Sequence, residues 1–255
     1  MSEAATILPY NPASGLLARV RRRSARLLAR TPITPDLERG MVSFTFDDCP
    51  VSVVHNALPQ LEARGWRGTV YASMGLNGTT NHLGLHMSDA DYRAASEAGH
   101  EIGDHTYTHM DGMRAGAGMM LADINRNRAA FREAGLPEAT TFAYPYGEVT
   151  PKLKRALHGE FALSRGIHSP QDGMIDTSLA ASQRLYSADM DDVISAIARA
   201  AEHKLWLILF THDVRDAPSA YGCTPAEFAQ TVQAVAASDL EVRTVAEALR
   251  VVRGA

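Results

Sequence analysis

The sequence predicts an α/β fold in which a parallel sheet of about seven strands closes into a distorted (β/α) barrel. Three observations carry this. After Gly40 strand-like and helix-like segments alternate to the end of the chain, the pattern of successive βα units. Leu205 to Phe210 is a nearly unbroken apolar run, as expected of a strand buried on both faces. The chemically interesting residues follow directly on strand-like segments, where such folds build their sites. An open doubly wound sheet is the competing architecture.

Residues 1–39 stand apart as a basic arm, and residues 40–255 read as one domain. From Leu16 to Arg30 the arm places Arg19, Arg21, Arg22, Arg23, Arg26 and Arg30 among leucines and alanines. Helical spacing puts Leu16, Leu17, Val20, Leu27 and Leu28 roughly on one side. Two readings stand: a solvated helix on the outside of the domain, or a tether giving residues 16–30 peripheral contact with anionic lipid or an acidic partner. Thr31 to Pro35, with two prolines, reads as a linker.

The domain opens with a strand at 42–46, in which Val42, Phe44 and Phe46 alternate with Ser43 and Thr45. A helix is expected at 53–64 and a strand at 68–73. A Gly, Asn and Thr-rich loop at 75–87 carries His82 and His86. Ser88 with Asp91 three residues on is a capping signal for a helix to about residue 98. Strands are expected at 101–105, 140–145, 161–164, 184–187, 205–210 and 241–245. Helices are expected at 117–134, 150–157, 189–202 and 225–237, with a last one closing the chain.

Composition narrows the function. The chain has 255 residues, 45% hydrophobic and 21% charged, with a net charge of −4, the balance of a globular domain with a sizeable core. That charge argues against nucleic acid as a partner. Two cysteines, Cys49 and Cys223, allow neither a disulfide framework nor a four-cysteine zinc site. No stretch reaches the roughly 20 apolar residues of a membrane span, and arginines interrupt each candidate leader segment. The compartment expected is the cytoplasm, with attachment at the inner membrane as the variant that the basic arm suggests.

Four stretches carry chemistry. The first strand ends in Asp47 and Asp48. Adjacent carboxylates repel, and a bound cation would keep both ionised; a helix cap beside a solvated aspartate is the plainer alternative. Gly103 to His109 contains His105 and His109, four apart and convergent if the segment turns helically. Imidazole suits zinc and its neighbours, and Asp48 with these two histidines would make an open, three-ligand site of the catalytic kind. Phe142 to Gly147 holds Pro145 and Tyr146 at a strand end, where proline and glycine can aim a backbone N–H into a site; an ordinary turn reads equally well. His212 follows the most apolar strand, poised to exchange a proton near neutral pH.

Taken together, these stretches resemble the polysaccharide deacetylases, the NodB-homology or family 4 carbohydrate esterases, in order over roughly residues 40–215. The resemblance implies Asp47 as catalytic base, Asp48, His105 and His109 as ligands of a divalent metal ion, zinc first among them, and His212 as catalytic acid. It implies the Tyr146 backbone N–H as oxyanion donor and a barrel of about seven strands. Two departures accompany it. Many members have Arg where this chain has Ala143, and the Asp-and-Trp motif that normally follows is missing. Arg165, at another strand end, is the expected replacement cation, and Pro145 and Trp206 are further candidates for shaping the substrate site. The Phe-Ala-Tyr-Pro-Tyr-Gly variant and the basic arm look most like deacetylases of bacterial exopolysaccharides and holdfast-type adhesins. The implied partner is a carbohydrate polymer or lipid-linked oligosaccharide. Hydrolysis of a non-sugar acyl substrate and a non-catalytic glycan-binding role remain as other classes.

Overall fold

The computed structural model describes residues 14–169 and 173–254; the beginning of the arm, residues 1–13, lies outside them. The chain runs through α1 (Leu16–Leu27), β1 (Pro32–Ile33), β2 (Met41–Asp47), α2 (Val51–Asn56), α3 (Leu58–Glu62) and β3 (Thr69–Ala72). A small hairpin, β4 (Thr80–Asn81) and β5 (Gly84–Leu85), precedes α4 (Asp89–Glu97), β6 (Glu101–Asp104), α5 (Ala117–Glu133), β7 (Thr141–Ala143), α6 (Pro151–Ala156) and β8 (Leu163–Arg165). Then come β9 (Ile175–Asp176), β10 (Gln183–Arg184), α7 (Met190–Glu202), β11 (Trp206–Thr211), α8 (Pro225–Ala236), β12 (Glu241–Val242) and α9 (Val245–Arg253).

Seven strands form one parallel sheet in the order β10-β11-β2-β3-β6-β7-β8, and β12 adds beside the start of β2. The sheet curls into a half-barrel, as the alternating pattern predicted. At its centre β2 and β11 are buried along their whole length and run in register from Trp206 opposite Met41 to Thr211 opposite Phe46. Both faces of these strands therefore carry core, with Phe44, Phe46, Leu207 and Leu209 meeting Leu58, Leu61, Val193 and Phe228 in the largest cluster. Parallel strands all end at the same rim, so Asp47, Asp104, Ala143, Arg165 and Thr211 each deliver the following loop to one mouth.

Four helices begin with a side-chain cap. Ser88 with Asp91, Thr224 with Glu227 and Thr244 with Glu247 close full capping boxes, and Thr150 accepts from Leu153 N–H. The single helix expected at 53–64 is broken in two around Ala57. Pro59 has no N–H to donate to His55 and crowds the preceding turn, so the first helix stops and a second begins.

Within the linker expected at Thr31 to Pro35, two residues form a short tied strand. Pro32 and Ile33 pair antiparallel with Asp176 and Ile175, and Thr31 N–H donates to Asp176 Oδ1 at 2.8 Å. A two-stranded pairing leaves proline's missing donor without consequence, which prolines in sequence do not reveal. The same region seats α1. Ala18 and Ala25 are its buried residues, Arg22 pairs with Glu148, and Lys154 Nζ donates to the carbonyls of Ala25 and Leu28 at 3.0 and 3.1 Å. Those carbonyls belong to the helix end, which needs such donors. The leucine stripe of α1 points away from the domain, into solvent.

Candidate active site

Among the described residues, five of the seven non-glycine residues with positive φ, Asp48, Cys49, Thr106, His109 and Tyr146, lie in loops at the barrel mouth. Such backbone costs on the order of 1 kcal/mol or more per residue and persists where the surroundings enforce it. Here it separates two neighbouring carboxylates. Asp47 ends β2 in regular conformation, then φ values of 57° and 53° at Asp48 and Cys49 turn the chain sharply. The turn is pinned by the buried Cys49 thiol donating to Tyr71 O at 3.1 Å.

Asp47 faces Arg165 at the end of β8. One guanidinium nitrogen, Nη2, lies 2.5 and 2.6 Å from the two carboxylate oxygens. Arg165 has no exposed surface; its guanidinium sits 4.8 Å from the Phe210 ring centre and 5.3 Å from that of Tyr71, and Nη1 donates to Gly166 O. Burial pushes the Asp47 carboxyl up, but Arg165, with His105 and His212 behind it, outweighs burial and holds it below the ordinary carboxylate range. Ala143, where the resemblance would have placed an arginine, is fully buried at the end of β7 beside Arg165 in register. The buried cation beside Asp47 thus stands on β8, the strand next to the one that carries Ala143.

Asp48 turns the other way. Its Oδ1 lies 3.1 Å from His109 Nε2 and 3.7 Å from His105 Nε2, and candidate donor atoms of the three residues all fall within 4.8 Å of one another. His105 Nδ1 is 2.7 Å from Ala143 O. A carbonyl only accepts, so Nδ1 carries the proton and Nε2 presents its lone pair. Burial lowers both imidazoles, His109 to about 4, so they are neutral at neutral pH. Asp48 Oδ1 is buried without a hydrogen bond, an expensive state for a carboxylate oxygen unless something cationic meets it. Two imidazole lone pairs and one orphaned carboxylate oxygen, open towards a cavity, fit a divalent ion with room for further ligands.

The two histidines do not converge through a helical turn, as spacing alone suggests. Residues 105–110 are irregular, and they fold back because Thr106 and His109 adopt φ of 61° and 55°. Side chains hold the loop: Thr106 N–H donates to Asp104 Oδ1, Met110 N–H to Thr106 Oγ1, and Thr108 N–H to Asp123 Oδ2, at 2.8 to 2.9 Å.

A cavity of about 540 Å³ opens over these residues and is lined by Asp47, Asp48, His105, His109, Tyr146 and His212 among others, within the usual size for a ligand site. His212 follows β11. Its Nδ1 donates to Tyr221 O at 3.1 Å, which leaves Nε2 as the position open to proton exchange. Tyr146 stacks edge-on against His109 with ring centres 4.3 Å apart at a turn where its φ is 58°. Pro145 opens that turn and is buried; it shapes the backbone and does not line the cavity.

Trp206 is a correction. It stands at the start of β11, opposite Met41, whereas the site lies where the strands end. Its indole is buried with Met41, Leu163 and Ile208 and donates to Ser43 Oγ at 3.0 Å. An aromatic beside an apolar strand looks the same from sequence at either end.

Several cavity residues were not singled out by motif. Arg22, Ala25 and Arg26 bring α1 to the wall, and Tyr186 and Tyr221 supply aromatic surface. His82, from the loop at 75–87, meets Tyr221 with ring centres 6.1 Å apart, and Arg215 Nη2 donates to His82 O at 2.9 Å. No sequence signal marked Tyr186, which the expected strand at 184–187 would have contained, whereas the strand ends at Arg184.

Residues 34–159 match the family model described as polysaccharide deacetylase. Over those residues, just under half of the chain, the sequence carries a polysaccharide deacetylase domain signature, and the half-barrel agrees with it. A bifunctional xylanase/xylan deacetylase of Cellvibrio japonicus is 26% identical over 117 residues, a match covering 46% of this chain but only 16% of that protein. Among solved structures, a polysaccharide deacetylase described as putative from Mycobacterium smegmatis aligns over 88% of this chain and 95% of its own, with 17% identity and a TM-score of 0.65. A family 4 acetyl xylan esterase from Clostridium thermocellum, in complex with a cobalt ion, aligns over 84% of this chain and 92% of its own, with 20% identity and a TM-score of 0.59. At these identities the structural likeness is one of fold.

Proposed function

We propose that the protein is a metal-dependent deacetylase. It removes acetyl groups from N-acetylhexosamine units, of N-acetylglucosamine type, in a bacterial exopolysaccharide or its precursor, such as a holdfast-type adhesin. It would work in the cytoplasm or at the inner face of the inner membrane. The observation that carries the reading is the pairing of two differently committed carboxylates at one mouth: Asp48 converging with His105 and His109, and Asp47 locked to Arg165 beside them.

In this reading Asp48, His105 and His109 hold a divalent ion, zinc first, though cobalt in the Clostridium thermocellum esterase shows that a relative takes another. Such an ion supplies Lewis acidity, polarising the acyl oxygen and lowering the pKa of water towards about 7. Asp47 accepts the proton of the attacking water as its oxygen bonds to the acetyl carbon. Arg165 keeps that carboxylate ionised and oriented, and general base catalysis of this kind is worth about 10²- to 10⁴-fold. The Tyr146 N–H is the donor assigned to the oxyanion that develops. When the C–N bond breaks, His212 Nε2 gives its proton to the departing nitrogen, so that an amine and acetate leave.

Acetate release from N-acetylglucosamine oligomers, measured beside metal content and with chelator, tests this. Chelation is expected to abolish release. Asp47→Asn should keep the metal and lose about 10²-fold or more of turnover, whereas Asp48→Ala and His105→Ala should lose both. Full metal occupancy in Asp48→Ala would remove the ligand assignment. Turnover of a small acylated amide but not of the oligomers would transfer the same site to a non-sugar substrate.

A further inference from the structure

Helix α1 is amphipathic in the reverse of the usual sense. A surface helix normally buries its leucines and turns its charges outward. Here the domain-facing side is Ala18, Ala25 and Arg22, the last paired with Glu148. Leu16, Leu17, Val20 and Leu27 are 79, 65, 54 and 59% exposed, and Leu28 just beyond the helix is 52% exposed. At 100° per residue Leu16, Leu27 and Val20 fall within one narrow arc, with Leu17 and Leu28 continuing it. Arg19 and Arg23 flank this arc on one side and Arg21 on the other, all exposed. Exposing this much apolar surface on a monomer calls for a partner.

The charge pattern selects the partner. An apolar stripe bordered by arginines matches the boundary between acyl chains and anionic head groups, where guanidinium groups reach phosphate while leucines enter the hydrocarbon edge. Among the described residues no helix is long and apolar enough to cross a membrane, so the contact would lie in the plane of the surface. The helix is also fixed, not trailing. Lys154 holds its C-terminal carbonyls, and Arg22, Ala25 and Arg26 on its other faces line the cavity over Asp47 and Asp48.

We propose that α1 docks the protein on an anionic lipid surface through Leu16, Leu17, Val20 and Leu27, holding the mouth of the catalytic cavity beside that surface. The docking deepens the cellular placement given above, but the lipid contact stands without the deacetylase chemistry. Its consequence for that chemistry is that acyl sugars attached to or emerging from a membrane would be presented within reach of the cavity.

The test is co-sedimentation of the full chain with phosphatidylcholine vesicles, with and without phosphatidylglycerol. Acetate release from soluble oligomers is followed in parallel. Binding is expected to the anionic vesicles alone and to weaken as salt rises. Leu16→Ser, Leu17→Ser and Leu27→Ser combined should reduce it by about tenfold or more, and Arg19→Glu with Arg23→Glu by a comparable factor. The leucine variant should retain its circular dichroism and its activity on soluble oligomers. Absence of anionic-vesicle binding at low salt overturns the proposal. So does binding unchanged by the leucine substitutions, equal binding to neutral vesicles, or dimerisation of the free chain that the same substitutions abolish. Loss of acetate release in the wild type with vesicle binding intact would fall on the catalytic reading alone.

Discussion

Asp47 and Arg165 form the buried ion pair on which the proposed base depends, and removing one partner exposes the cost of burying the other. Breaking such a pair typically costs about 3–5 kcal/mol because a charge is left uncompensated. Arg165→Met should therefore lower thermal stability by roughly 10 °C for a chain of this size and abolish acetate release. Arg165→Met combined with Asp47→Asn should recover most of the stability but none of the activity, because the carboxylate that needed the cation is gone. Equal melting temperatures for the single and double variants would show that the pair's charge is not what the fold requires. This contact was anticipated in sequence only through the resemblance. The family resemblance implies a cation for the Asp47 carboxylate, and with Ala143 in the usual arginine's place, Arg165 at another strand end was the candidate. The meeting of Asp48 with His105 and His109 was likewise readable, but not its route. The left-handed turns at Thr106 and His109 arise from side-chain contacts such as Thr108 to Asp123, which no local spacing encodes.

At the scale of elements, long segments appear where the pattern put them, as in α5, α7, α8 and β11. Short pieces were hidden because their cause is distant. β1 exists only because Ile175 and Asp176 are there to pair with it, and a proline-flanked dipeptide carries no strand signal of its own. Asp176 also accepts from Lys154 Nζ at 2.7 Å, so one buried lysine ties α6, α1 and β9 together. Lys154→Met should loosen that tie selectively. Limited trypsin digestion should then cut within residues 19–30 at least about tenfold faster, since cleavage tracks local opening, while the circular dichroism of the barrel stays unchanged. Digestion at the wild-type rate would mean that Ala18, Ala25 and the Arg22–Glu148 pair seat α1 without the lysine.

For the whole molecule, the sheet is a half-barrel whose rim is assembled from loops that carry the strained residues Asp48, Cys49, Thr106, His109 and Tyr146. Adjacent charges and left-handed backbone there oppose folding, and the large cluster around β2, β11, α7 and α8 supports them. A ligand that joins the loops after β2 and β6 should relieve part of that opposition, because it binds the folded arrangement and not the unfolded chain. At a free ion concentration about 100 times the dissociation constant, the gain is about 2.7 kcal/mol, or roughly 5–10 °C in melting temperature for this length. Scanning calorimetry of chelator-treated protein, with and without added zinc or cobalt, should show an upward shift of that size in the wild type and in Asp47→Asn. Asp48→Ala should melt at the same temperature with and without the ion, and it should melt no lower than the metal-free wild type, since it no longer buries an unpaired carboxylate oxygen. A full upward shift in Asp48→Ala would place the stabilising ion elsewhere on the molecule and detach the strained rim from the role given to it here.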